Sequence, residues 1–221
     1  MKQAVFNEKA FWEMPLVVIM RGFPLETVAP IVQAIHRGGL RMVEITMNTQ
    51  GAEEQIQEAI QASVGTRMQI GAGTVTTPSR WESAIKAGAN YVVTPNLNID
   101  IIHRCQEARV PFIPGAMTPT EIYQACEWGA LAAKIFPANT LGPSFIKAIK
   151  APMPNLRVAP TGGVTVERMQ AYLEAGADAF GLGSPLFPNA DMETRNWDAV
   201  EQAARSFHDA YMKFRQGQIT D

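Results

Sequence analysis

The strongest constraint on this chain is a phrase that it repeats: a short apolar run, a polar or small residue at its end, then a helix-like stretch. The runs lie at Leu16–Met20, Arg41–Ile45, Met68–Ala72, Asn90–Thr94, Val110–Pro114, Ala132–Phe136, Leu156–Pro160 and Asp178–Leu182. They recur about every two dozen residues, room for one strand, one loop and one helix of about three turns. Several share a lead-in in which a glycine closes the helix before the strand begins: RGGLRMVEI, KAGANYVVT, EWGALAAKIF and EAGADAFGLG. That is what a tight turn from helix to strand needs. Thr77-Pro78 and Thr118-Pro119 place a capping hydroxyl before a first-turn proline and so mark helix starts. Pro30 fits the first long helix only if that helix begins near Thr27.

The runs are nearly continuous rather than alternating, so both faces of each strand are expected to be buried, as in parallel sheets covered by helices. Eight βα units without a break predict an α/β chain folded as a single (β/α)8 barrel. It would be one domain over residues 1–221 with an N-terminal helical segment. An open doubly wound sheet is the structural rival, but the first strand is followed by RGFPLE, not by the glycine-rich turn that holds a dinucleotide.

Composition excludes several classes. Hydrophobic residues at 47% suffice for a large core, and a net charge of −2 without a basic stripe gives nucleic acid no footprint. No run of 18 apolar residues occurs, and MKQAVFNEKAFWEMP lacks a signal-peptide core, so neither a membrane partner nor export is expected. Cys105 and Cys126, far apart and outside any CxxC spacing, read as reduced fillers of a cytoplasmic protein. His36, His103 and His208 all fall in helical segments away from the strand ends, so no metal site is expected.

In a barrel the chemistry lies at the carboxyl ends of the strands. There the chain places Arg21, Glu44 with Thr46 and Asn48, Gly73-Thr74, Thr94-Pro95-Asn96, Pro114-Gly115, Lys134, Thr161-Gly162-Gly163 and Gly183-Ser184. Lys134 interrupts ALAAKIFPA, where alternation groups Ala132, Lys134 and Phe136 on one face. Facing inward, it would be desolvated and could attack a ketone as a neutral amine; facing outward, it would only snorkel between helices. Lys147 and Lys150 lie on a helix and are expected to be solvated. Glu44 in RMVEITM shares a face with Met42 and Thr46 and is either a structural ion pair or a general acid/base raised by burial. PTGGV before a helix, and GLGS after the last strand, are either ordinary turns or a phosphate cradle of backbone N–H groups.

Seven strings in order, VEITMNT, IGAGTV, VTPN, IPGAMTPTE, KIFPA, PTGGV and GLGS, resemble the 2-keto-3-deoxy-6-phosphogluconate (KDPG) and 6-phosphogalactonate (KDPGal) aldolase family, also known for 4-hydroxy-2-oxoglutarate cleavage. The likeness runs from about Leu16 to Phe187. It implies a class I aldolase that needs no cofactor and cleaves a phosphorylated 2-keto-3-deoxy sugar acid to pyruvate and glyceraldehyde 3-phosphate. It further implies Lys134 as Schiff-base lysine, Glu44 as proton shuttle, and Thr74 at the pyruvate carboxylate. Thr161, Gly162, Gly163, Gly183 and Ser184 would lie at the phosphate end, and the assembly would be a homotrimer. Where the KDPG branch carries a carboxylate-clamping arginine this chain has Asn48, while Arg21 in IMRG is similar to the KDPGal branch. As the one arginine at a strand's carboxyl end, on the strand beside that of Asn48, Arg21 is expected either to replace the missing clamp or to pair with Glu44 for structure alone. An isomerase or epimerase barrel, or a silent sugar-phosphate sensor, would fit the same residues without an imine.

Overall fold

The computed structural model describes residues 5–217. The expectation of one domain over 1–221 extends past these at both ends. A short helix, α1 (Glu8–Glu13), comes first, with the Asn7 side chain accepting from the Ala10 N–H. Strand and helix then alternate: β1 (Leu16–Met20), α2 (Leu25–Arg37), β2 (Met42–Thr46), α3 (Ala52–Ala62), β3 (Gln69–Gly73), α4 (Pro78–Ala87), β4 (Val92–Val93), α5 (Ile99–Ala108) and β5 (Phe112–Ile113). Next come β6 (Gly115–Ala116), α6 (Pro119–Glu127), β7 (Ala133–Ile135), α7 (Ala138–Lys150), β8 (Val158–Pro160), α8 (Val166–Glu174) and β9 (Phe180–Leu182). After a 3-10 turn at Ser184–Leu186, α9 (Asn189–Glu193) and α10 (Trp197–Gly217) complete the described chain.

The eight apolar runs therefore become nine strand segments, because Pro114 interrupts the fifth. It has no N–H to give to a ladder. On one side of it β5 pairs with β4, and on the other β6 pairs with β7. All pairings are parallel, in a curled six-stranded sheet ordered β5-β4-β3-β2-β1-β9 and a three-stranded sheet ordered β6-β7-β8. A parallel bridge between Thr161 and Gly181 links the chain just past β8 to β9.

Helices pack outside, and most of the apolar core lies between them and the strands. A second apolar cluster, with Phe11, Val17, Met42, Tyr91 and Leu131, fills the inner side beneath the strand ends. The helix α1 supplies Phe11 to that cluster and so plugs the end opposite the site. The cap signals at Thr77 and Thr118 are both present, and Thr118 forms a full capping box with Glu121. Gly88, in the left-handed region at φ 104°, ends α4 as the KAG phrase predicts.

Two expectations are corrected. The helix α2 begins at Leu25, not near Thr27, and carries Pro30 inside it; Pro24 rather than a polar side chain sits at its cap. As the sixth residue of α2 the proline forfeits the bond that an N–H there would give to the Glu26 carbonyl, and its ring crowds that carbonyl. Lys150 is not solvated: its ammonium lies 2.8 Å from an Asp178 carboxylate oxygen and 2.6 Å from the Gly176 carbonyl oxygen. The same Asp178 carboxylate accepts from the Val158 N–H, so this pair ties α7 to the entries of β8 and β9. Lys147 is exposed as expected.

Candidate active site

The carboxyl ends of the strands surround an open pocket of about 510 Å³, an ordinary size for a small-molecule site. Lys134 stands in its floor, in the middle of β7, and is 6% exposed. Its neighbours in the ladders are Gly115 on β6 and Ala159 on β8. Both are small, which leaves the interior volume to the lysine stem. The alternation that groups Ala132, Lys134 and Phe136 is thus an inward face: Ala132 joins the inner cluster, and the Phe136 ring centroid lies 5.7 Å from the lysine ammonium.

Glu44 comes from the middle of β2 and is 1% exposed. Its Oε1 lies 3.8 Å from the Lys134 Nζ, within ion-pair range but too far for a hydrogen bond. That oxygen has no hydrogen-bond partner in the described structure. Space for the carboxylate is made by Gly73, where a Cβ would come within 2.5 Å of Oε1. Burial pushes the Glu44 carboxyl above its ordinary range, and the charges of Lys134 and Arg21 pull it back only in part. The group therefore holds its proton more readily than a surface glutamate, and a cation beside it can take up the charge when the proton leaves.

Arg21 closes β1, is exposed, and forms part of the pocket wall. Its Nη2 donates a long hydrogen bond of 3.4 Å to Thr74 Oγ1. Thr74 sits at φ 55°, a conformation that a β-branched side chain avoids and that tends to mark functional sites. Asn48 is exposed in the turn after β2 and does not line the pocket. Its neighbour Thr49 matters more than the sequence suggests. Its Oγ1 accepts from the Gly22 N–H at 3.0 Å and meets Thr46 Oγ1 at 3.0 Å, fastening the loop that carries Arg21 to the end of β2.

Gly162, Gly163, Gly183 and Ser184 line the opposite side of the pocket. Gly162 and Gly163 lie at φ 97° and 68°, in the left-handed region that favours glycine. Their carbonyl side is occupied: the Asn139 N–H donates to the Gly162 oxygen and the Arg168 guanidinium to the Gly163 oxygen. Thr161 differs from these. It is 3% exposed, its hydroxyl donates to the Ala159 carbonyl, and its side chain fills the place that a Cβ on Gly181 would take. A small cavity below the pocket is bounded by Glu44, Lys134 and Thr161 together.

The structure thus gathers Lys134, Arg21, Thr161, Gly162, Gly163, Gly183 and Ser184 around one pocket. Glu44 lies beneath it, and Thr74 behind Arg21. The sequence reading missed the contribution of α9, whose Asn189, Met192 and Glu193 also face the pocket. No motif marks that segment. His36, His103 and His208 lie on α2, α5 and α10, away from the pocket.

Against known proteins, the family model described as KDPG and KHG aldolase matches residues 8–203. The 2-dehydro-3-deoxy-6-phosphogalactonate aldolase of Escherichia coli K12 is 36% identical over 200 residues, covering 90% of this chain and 95% of that protein. The 2-dehydro-3-deoxy-phosphogluconate aldolase of Pseudomonas aeruginosa is 31% identical, covering 91% of this chain and 90% of its own. Among solved structures, a native KDPGal structure superposes with a TM-score of 0.84 at 34% identity, over 92% of this chain and 97% of that one. A Legionella pneumophila KDPG aldolase with pyruvate captured as a covalent carbinolamine does so with a TM-score of 0.82 at 26% identity, over 91% and 98%.

Proposed function

The chain belongs to the KDPG and KHG aldolase family, and from that premise we propose that it is a class I aldehyde-lyase. Its substrate is a phosphorylated 2-keto-3-deoxy sugar acid of the KDPG or KDPGal type, and its products are pyruvate and glyceraldehyde 3-phosphate. The observation that carries this reading is the inward, buried Lys134 with its ammonium 3.8 Å from the carboxylate of Glu44.

The neutral amine of Lys134 adds to the C2 ketone, giving a carbinolamine. Glu44 protonates the departing hydroxyl, and the iminium forms. With the iminium as electron sink, the C4 hydroxyl loses its proton to the base and the C3–C4 bond breaks. The aldehyde leaves, and the bonding pair stays as an enamine. Glu44, through water, returns a proton to C3, and hydrolysis of the pyruvyl imine regenerates the amine. Arg21, supported by Thr74, holds the carboxylate. The N–H groups of Gly162 and Gly163, with Gly183 and Ser184 across the pocket, hold the phosphate, and Thr161 buttresses that loop from below. The reaction draws on no metal or cofactor.

At the level of the whole protein the reading is one domain over 1–221, with the two sheets forming one (β/α)8 barrel. The Thr161–Gly181 bridge and the shared chain around Pro114 support closure. No helix among the described residues is long and apolar enough to cross a membrane, in keeping with a cytoplasmic enzyme that partners small molecules. A homotrimer follows from the family likeness, and the exposed apolar side chains of Met117 and Tyr123 suit a subunit contact.

Borohydride added with pyruvate is the direct test. Inactivation with one pyruvyl adduct on Lys134, located by peptide mapping, is the expected result. A label on another residue, or inactivation by chelators in its place, overturns the imine mechanism.

A further inference from the structure

Across three neighbouring strands the inner face carries one row: Glu44 on β2, Gly71 on β3 and Tyr91 at the entry to β4. Glu44 is in register with Gly71, and the Ala72–Val92 pairing puts Gly71 level with Tyr91. Neighbouring strands lie about 4.8 Å apart, so the Glu44 and Tyr91 backbones are separated by roughly 10 Å. Gly71 has no side chain to fill the interval, and Tyr91 fills it. A Cβ on Gly71 would collide with Cζ and both Cε atoms of the Tyr91 ring, so the hydroxyl-bearing end of the ring lies over the glycine and points toward β2. Phe6 packs edge-on against the same ring from below, its centroid 5.8 Å away.

Tyr91 is fully buried, and its hydroxyl has no hydrogen-bond partner in the described structure. Three buried side-chain polar atoms are in that condition: Glu44 Oε1, Asn90 Oδ1 and the Tyr91 hydroxyl. Two of the three belong to this row. They are also complementary, since a phenol donates and a carboxylate oxygen accepts. Leaving both unmade is costly, and pairing them removes the cost at both ends.

We propose that Tyr91 is a positioning residue for Glu44: its hydroxyl, over Gly71, donates through one bridging water to Oε1, over Gly73 on the same face of β3, and holds the carboxylate in its proton-transfer orientation. Tyr91 approaches from the inner side, while Lys134 from β7 and Arg21 from the end of β1 face the same carboxylate. Burial and the nearby Glu44 charge both push the Tyr91 phenol well above its usual range, so it stays a neutral donor throughout the working range. A donor to the ionised carboxylate favours that form. The inference rests on the reading of Glu44 as the proton carrier.

Tyr91→Phe removes one oxygen and leaves the ring over Gly71. The expected result is a fall in kcat of about tenfold with little change in KM, and an acidic limb of the kcat profile displaced to higher pH. Carboxyl-carbon NMR of Glu44 in the same variant reads its titration independently of turnover and should move upward as well. A profile and an NMR titration identical to the parent overturn the inference and make Tyr91 a buried bystander, the more clearly if the melting temperature rises. Glu44→Gln separates the two failures. If it keeps near-parent turnover, the proton-carrier assignment falls and takes this inference with it. If it is inactive while Tyr91→Phe behaves as the parent, only this inference falls.

Discussion

A carboxylate buried beside an ammonium it does not touch is an expensive arrangement for a single side chain. Glu44 occupies it because the space at Gly73 admits it. Its carboxyl is raised above 4.5, so between that value and its folded value the native state binds more protons than the unfolded one. Stability attached to this group is therefore fully present below the unfolded value and is lost as pH rises through the raised one. Glu44→Gln should accordingly melt no lower than the parent at pH 8, with its advantage shrinking as pH falls toward 4.5, while turnover drops by on the order of 10²–10⁴-fold. A variant that melts lower at pH 8 than the parent would mean that the Lys134 pairing outweighs desolvation. In the proposed reading Arg21 supplies the charge that Asn48 cannot. Arg21→Ala should depress both cleavage and pyruvate imine formation, and Asn48→Arg added to it should restore part of each. Loss of cleavage with normal imine trapping would remove Arg21 from the carboxylate.

The elements matter to function chiefly at their ends. The loops after β8 and β9 carry no charge of their own, so the proposed hold on phosphate there depends on backbone approach. Gly163 is a poor probe, since a Cβ would lie 2.9 Å from the Asn139 Cβ and the site has positive φ. Gly183 is better, because an added Cβ meets no protein atom within 4 Å. Gly183→Ala should raise KM for the phosphorylated substrate several-fold and leave an unphosphorylated analogue nearly unaffected. Equal losses on both would displace the phosphate from this loop. These strand ends were legible in the sequence because polar residues there break an apolar rhythm: Lys134, Glu44 and the paired glycines all stand out against it. What the rhythm could not convey was anything set by cross-strand register. The role of Thr49 depends on a loop from β1 lying beside it, and Tyr91 reads in sequence as one more apolar position in NYVV. Pro30 and Lys150 were misjudged for a related reason. Local rules assigned the first to a helix start and the second to solvent, whereas α2 begins before Thr27 and encloses the proline, and the Asp178 carboxylate holds the lysine.

At the scale of the molecule, the floor of the pocket is built from both sheets. Lys134 lies in the three-stranded sheet and Glu44 in the six-stranded one, so their 3.8 Å separation is held across the joins between sheets. One join is the chain itself at Pro114, where the Lys134 N–H donates to the Pro114 carbonyl at 2.8 Å. The other is the Thr161–Gly181 bridge, with Asp178 and Ala179 N–H groups both donating to the Val158 carbonyl at the entry to β9. If the sheets form one closed barrel, opening either join requires opening the whole, and the seam shares the stability of the strands around it. Native-state hydrogen exchange reads this directly. The N–H groups of Asp178 and Ala179 should exchange as slowly as those of β1 to β3, and should respond to denaturant with the same steep slope. Fast exchange at the seam, independent of denaturant, would show two sheets that breathe against each other, and would make the spacing of amine and carboxylate a variable rather than a fixed property of the fold.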